Sequence, residues 1–150
     1  MTPLPDRPAR WLASLEGLER SERIQTLVDI AAHFRPAPPT VAPRPYPPER
    51  RVPGCESEAY VWAEPAANGT LNYYFAVENP QGISAMALAA ILSKTLSGAS
   101  LDEVAAVPSD MIYGIFGREL SLGKSLGLMG MVNMVRAAAQ AQLRQAARQT

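Results

Sequence analysis

Cys55 is the only cysteine of the 150-residue chain and His33 its only histidine. A lone thiol can act as a nucleophile, because a few per cent of an ordinary cysteine is thiolate near neutral pH. The same count removes other chemistry. One cysteine allows no intramolecular disulfide and no dithiol couple. It also allows no zinc site of four cysteines or of two cysteines with two histidines, and no iron–sulfur site with cysteine ligands from this chain alone. No metal site is expected. Cys55 follows Pro53-Gly54, a pair that marks a tight turn, and stands among Arg50, Arg51, Glu56 and Glu58. Gly54 permits a backbone conformation that a side chain would block. The arginines favour a thiolate and the glutamates disfavour it, so the net sign stays open. A hydrolytic Cys-His pair would require His33, which is far along the chain beside Phe34 and reads as a helix-end histidine. The sequence holds no nucleophile elbow, phosphate-binding glycine loop or His-Glu zinc motif. The thiol therefore reads as a site that something else activates.

The elements that must position this thiol can be read on both sides of it. Trp11, Leu12, Leu15 and Leu18 recur at helical spacing, with Pro8 at an early helix position. A second helix is expected from an N-cap at Ser21, with Ile24, Leu27, Val28, Ala31 and Phe34 on one face, stopping near Arg35 before Pro36. Prolines 36, 38, 39, 43, 45, 47, 48 and 53 make residues 36–53 a proline-rich, extended connector over the surface, read here as a stiff spacer. Beyond the thiol, residues 59–63 and 71–77 form an antiparallel hairpin around a six-residue loop, 65–70. Tyr60 and Trp62 share one face of it, while Ala59, Val61 and Ala63 share the other. The aromatic face is free to cover either core or thiol. Residues 83–96 read as a buried helix stopped by Gly98, and Ser100-Leu101-Asp102-Glu103 as a capping box opening a short helix. A further short helix holds Met111, Ile112, Ile115 and Phe116 and closes at Gly117, and a last one starts near Gly123. Met111, Met129, Met131 and Met134 read as core filling.

Composition bounds what this assembly can do. Hydrophobic residues are 47% and charged residues 19% of the chain, the profile of an ordinary globular domain. One domain, residues 1–150, is expected at this length. Fourteen Lys and Arg balance fourteen Asp and Glu, so the basic excess that nucleic-acid binding needs is missing. Residues 1–10 carry three prolines and no apolar run, and no later stretch approaches a membrane span. The expected location is the cytoplasm, with neither nucleic acid nor membrane as partner.

The run Val52-Pro53-Gly54-Cys55-Glu56-Ser57-Glu58-Ala59-Tyr60-Val61-Trp62 resembles the Val-x-Gly-Cys-x-Ser-x-Val-Trp motif of the SufE family, which surrounds a sulfur-accepting cysteine. The order of elements is similar too. So are the Ser-Leu-Asp-Glu cap and the late run Leu120-Ser121-Leu122-Gly123-Lys124-Ser125-Leu126-Gly127-Leu128. The resemblance runs from about Pro5 to Gln142. It implies an α+β fold, SufE/IscU-like, with a small antiparallel hairpin packed against several helices. It implies a single SufE-like domain that carries the connector at 36–53.

The function it implies is that of a sulfur acceptor and carrier. Cys55 would take persulfide sulfur from a SufS-like, pyridoxal-phosphate-dependent cysteine desulfurase, stimulate that enzyme, and deliver the sulfur to a SufB-type scaffold for iron–sulfur cluster assembly. That is a sulfurtransferase-type accessory role. This chain would bind no cofactor of its own, the pyridoxal phosphate belonging to the partner, and would be a monomer or weak homodimer. The implied site is Cys55 as the reacting residue, Gly54 and Ser57 supporting its loop, and Arg50, Arg51, Glu56, Asn79 and Lys124 meeting partners. Thiol exchange needs one nucleophilic sulfur and no second cysteine that would discharge the persulfide, which the single Cys55 satisfies.

The chain departs from the family where Glu56 and Glu58 replace glutamines, where Asn79 takes an aspartate's place and where Lys124 takes an arginine's. An ion pair between the last two places would become a hydrogen bond or be lost. The alternative readings are a binding module that regulates a desulfurase without carrying sulfur, and a thiol hydrolase on Cys55 and His33. In the free protein Cys55 is expected at a loop tip, shielded by Tyr60 or Trp62 and drawn out by a partner.

Overall fold

The computed structural model describes residues 6–149; the proline-bearing start of the chain, 1–5, and Thr150 lie outside it. Two helices open the chain, α1 (Asp6–Glu16) and α2 (Arg20–Ala32). The proline-rich segment follows and ends in a 3₁₀ turn at Pro48–Arg50. Strands β1 (Ala59–Pro65) and β2 (Leu71–Val77) form the hairpin, and helices α3 (Ile83–Leu96), α4 (Leu101–Ala105), α5 (Met111–Phe116) and α6 (Leu122–Arg148) complete an α+β fold.

Helix α3 is the hub because it is apolar nearly all round. Ala85, Ala87, Leu88, Ala89, Ile91, Leu92, Thr95 and Leu96 are all buried, and α3 packs against α1, α2, β2 and α6. Such a helix must be enclosed by its neighbours. Its one buried hydroxyl is satisfied within the helix, Thr95 Oγ1 donating to the Ile91 carbonyl at 2.7 Å. Its end is tied to the hairpin, since Gly98 N–H donates to the Leu71 carbonyl and Tyr73 N–H to Ser97 Oγ. The capping box forms as its sequence predicts. Ser100 Oγ accepts from Glu103 N–H and donates to the Glu103 carboxylate. Met111 and Met131 are buried, and Met129 and Met134 pack against the same core.

At the N-terminal helices the boundaries agree with expectation in part. Helix α1 begins at Asp6 with Pro8 buried in its first turn, the early position expected for it, and ends at Glu16, short of Leu18. Helix α2 begins at Arg20 behind Glu19, so Ser21 is not its cap, and no side chain caps it. Tertiary contact replaces the cap: Arg23 donates to the Leu15 and Gly114 carbonyls, and α2 lies along α3. Only part of its expected apolar face is covered, because Leu27 and Ala31 are buried while Ile24 and Val28 are exposed.

The hairpin is antiparallel, in register from Ala59 opposite Val77 to Pro65 opposite Leu71. Pairing therefore continues two residues past Ala63 and shortens the loop to 66–70, where Asn68 and Gly69 both take positive φ. The two faces separate as the alternation predicts. Val61, Tyr73 and Phe75 enter the main core, while Trp62 and Ala76 join Tyr60 and Tyr74 on the other side.

What covers that second face is the proline-rich segment. Ala37 and Ala42 are buried on it, and Ala37 N–H donates to the Phe75 carbonyl. The Tyr46 ring centroid lies 5.1 Å from those of both Tyr60 and Trp62. Arg44 lies 4.5 Å over the Tyr46 ring and binds both oxygens of Glu78. The segment is a packed strap rather than a free spacer, because short Ala and aromatic side chains between its prolines supply an apolar underside.

Candidate functional site: a thiol under a helix glycine

The strap delivers the chain to Val52, fully buried, whose N–H donates to the Ala59 carbonyl and closes the base of a loop over residues 52–58. Inside it Cys55 N–H donates to the Val52 carbonyl and Glu58 N–H to the Cys55 carbonyl. Gly54 at φ +68° and Glu58 at φ +53° make the two reversals this path requires. The left-handed region is natural for the glycine and costs the glutamate of order 1 kcal/mol.

A second layer of backbone bonds holds the far side. Glu78 N–H donates to the Glu58 carbonyl and Asn79 N–H to the Ser57 carbonyl. The Asn79 side chain works in both directions, Nδ2 donating to the Glu56 carbonyl at 3.4 Å and Oδ1 accepting from Gln81 N–H at 2.9 Å. Asn79 thus turns toward the thiol loop, not toward Lys124.

Cys55 itself is only 6% exposed. The expected shield, Tyr60 or Trp62, is not the one found: both rings belong to the face under the strap. The cover is α6. A Cβ at Gly127 would stand 3.2 Å from both Cα and Sγ of Cys55, and one at Gly130 would stand 2.7 Å from Cγ1 of Val52. The first turn of α6 is set by Ser121, whose Oγ accepts from Lys124 N–H. Ser57 is held the same way from the α3 side, because a Cβ at Gly82 would reach 2.9 Å from its Cβ.

Between these walls lies a cavity of about 280 Å³, bounded by Cys55, Glu56, Ser57, Gln81, Ser84 and Lys124, among others. Its lining carries one cation, Lys124, and one carboxylate, Glu56. Of the residues singled out in the sequence, the fold brings Cys55, Glu56, Ser57 and Lys124 to one cavity, with Gly54 and Asn79 shaping the loop behind it. Arg50 and Arg51 are exposed on the approach to the loop, Arg51 bridging to Tyr60, and neither lines the cavity. His33 caps the end of α2, its Nδ1 2.8 Å from the Asp29 carbonyl, and also lies outside it. No group of three or more His, Cys, Asp or Glu gathers as metal ligands among the described residues. No helix among them is long and apolar enough to cross a membrane.

Gly82 and Gly127 are the residues packed against the thiol loop that sequence reasoning missed. A glycine inside a helix gives up roughly 1 kcal/mol of helix propensity relative to alanine, so Gly127 and Gly130 signalled a close approach without naming the neighbour.

Comparison with known proteins identifies a family and similar folds. The family model described as SufE, Fe-S metabolism associated domain, matches residues 10–139. The solution structure of a hypothetical protein from Thermus thermophilus is similar at a TM-score of 0.77 and 25% sequence identity, over 95% of this chain and 99% of that one. Among curated proteins, no sequence matches the chain.

Proposed function

Since the chain belongs to the SufE family, associated with Fe–S metabolism, we propose that it is a sulfur carrier and that Cys55 holds the sulfur as a persulfide. The observation that carries this reading is the chain's one thiol, 6% exposed on a loop pinned at both ends, beside a cavity and under a helix residue with no side chain. The transfer is a thiol–persulfide exchange. The Cys55 thiolate attacks the outer sulfur of a persulfide on a cysteine desulfurase; a new S–S bond forms at Cys55, the donor's S–S bond breaks, and the donor cysteine leaves as a thiolate. The outer sulfur and its proton move with the bond, and no net oxidation occurs.

Burial of Cys55 then serves storage, because access governs how fast a reductant or oxidant reaches a sulfur. An added sulfur is comparable in size to a water molecule, whose share of volume is about 30 Å³. The cavity of about 280 Å³ has room for it. Lys124 offers that sulfur's charge a cation, and Glu56 opposes it from the same lining. Attack on a donor held in another protein requires the loop to move outward, so the bound partner must favour an exposed minor state. Gly54 and Ser57 support the loop; Arg50 and Arg51 steer an acidic rim of the partner toward it; Glu56, Asn79 and Lys124 meet that partner or hold the loop for it. The pyridoxal phosphate belongs to a SufS-like desulfurase, this chain needs no cofactor, and a SufB-type scaffold receives the sulfur in the cytoplasm.

Cys55→Ser separates a carrier from a pure regulator. The carrier predicts that the variant neither gains sulfur nor raises desulfurase turnover under reducing conditions. Full stimulation by Cys55→Ser would assign the chain a regulatory role without transfer.

A further inference from the structure

A second surface adjoins the thiol cavity. Helix α2, the start of α3 and the loop between α5 and α6 enclose a groove of about 600 Å³. It neighbours the thiol cavity, since Ile83, Ser84 and Lys124 line both. Three of its wall residues are large apolar side chains left in water: Ile24 at 52%, Val28 at 42% and Ile83 at 41% exposure. The other large hydrophobics exposed among the described residues, Leu122 and Leu126, sit four apart in the first turns of α6, the helix over Cys55. Three exposed large apolar side chains thus share one groove, and Ile83 among them also lines the thiol cavity; contiguous apolar surface in water marks an interaction site.

The groove is also charged in one sense. Arg20, Arg23, Arg118 and Lys124 line it against a single carboxylate, Glu119, which is paired with Arg20 at 3.1 Å. Arg23 is fixed by two backbone carbonyls, and Arg23, Arg118 and Lys124 have no carboxylate partner among the described residues. A chain of zero net charge has concentrated three uncompensated cations beside its apolar wall.

We infer that this groove seats a segment of the sulfur-donating desulfurase that presents apolar side chains flanked by carboxylates, docking it beside the cavity of Cys55. The apolar walls supply the contact area, as in helix-in-groove recognition, and the cations select an acidic flank. The inference rests on the carrier reading for the identity of the partner, and binding and sulfur transfer are measured separately so that each can fail alone.

The test is titration calorimetry of a SufS-type cysteine desulfurase against the full chain and against Val28→Asp, Arg118→Glu and, as a charge control on the exposed face of α6, Ala137→Glu. Melting curves establish that each variant is folded; Arg118 is a loop residue outside the core, so its variant decides the matter should Val28→Asp unfold. The expected result is a dissociation constant raised about tenfold or more by each groove variant and changed less than about twofold by Ala137→Glu. Binding of the wild-type chain weakens with salt more steeply than that of Arg118→Glu. The inference is overturned by equal binding of the groove variants, by no binding of the wild-type chain, or by a wild-type homodimer that Val28→Asp dissociates. Binding as expected with no sulfur gained by Cys55 would instead reject the carrier reading and leave the groove standing.

Discussion

At Gly127 a hydrogen stands where any other residue would place a carbon 3.2 Å from both Cα and Sγ of Cys55. That contact is the closest statement of what holds the thiol in, and it makes a prediction at the scale of one methyl group. Gly127→Ala gains about 1 kcal/mol of helix propensity and loses a similar amount to crowding, so stability should change by less than about 1 kcal/mol. The loop, being the softer partner, gives way. The alkylation rate of Cys55 by iodoacetamide should rise severalfold in Gly127→Ala with the melting temperature nearly unchanged, and an unchanged rate would show that α6 is not the cover. Cys55 was legible in the sequence because a single thiol after Pro-Gly among charges has few bland explanations. Its cover was not, because one sequence shows that a helix glycine is needed but not which backbone approaches it.

Among the elements, the ones with strong local punctuation were read where they lie. Helix α3 ends just ahead of Gly98 and α5 closes at Gly117, both glycines at positive φ. Pro8 marks the first turn of α1, as read, but α2 starts one residue before its expected cap because nothing local fixes it; the grip of Arg23 on two carbonyls outside the helix does so instead. The strap was misjudged for a related reason. Proline density announces extended chain, but the pairing of Tyr46 with Tyr60 and Trp62 is visible only once the hairpin has placed its aromatic face. The bond between hairpin and α3 carries a prediction of its own. Tyr73 on β2 is fully buried and its hydroxyl has no hydrogen-bond partner among the described residues. Burial pushes its ionisation from 10.0 up to about 12. The folded state thus keeps a proton that the unfolded chain releases earlier, so this group's contribution is complete below pH 10 and is lost as pH rises from 10 to 12. The loss amounts to about 3 kcal/mol. Tyr73→Phe should be as stable as the wild type or more so at pH 8, and should decline less between pH 10 and 12 in urea unfolding. A loss above about 1 kcal/mol at pH 8 would show that the hydroxyl is satisfied.

For the whole molecule, neutrality of the sequence conceals an arrangement. Fourteen charges of each sign cancel overall, yet the groove neighbouring the thiol cavity holds three cations without a carboxylate partner among the described residues, and Ile24, Val28 and Ile83 stand exposed on its walls. The family was legible from the motif around Cys55 and the order of elements, and the match over residues 10–139 agrees with it. The groove was not legible, since α2 reads as a helix with one apolar face and only packing reveals that Ile24 and Val28 are left outside. The central claim, that Cys55 carries sulfur, is tested most directly by intact-mass measurement of the protein after incubation with a cysteine desulfurase and free cysteine. The account predicts a gain of one sulfur atom, located on Cys55 and removed by added reductant. An unchanged mass while the desulfurase turns over would contradict it.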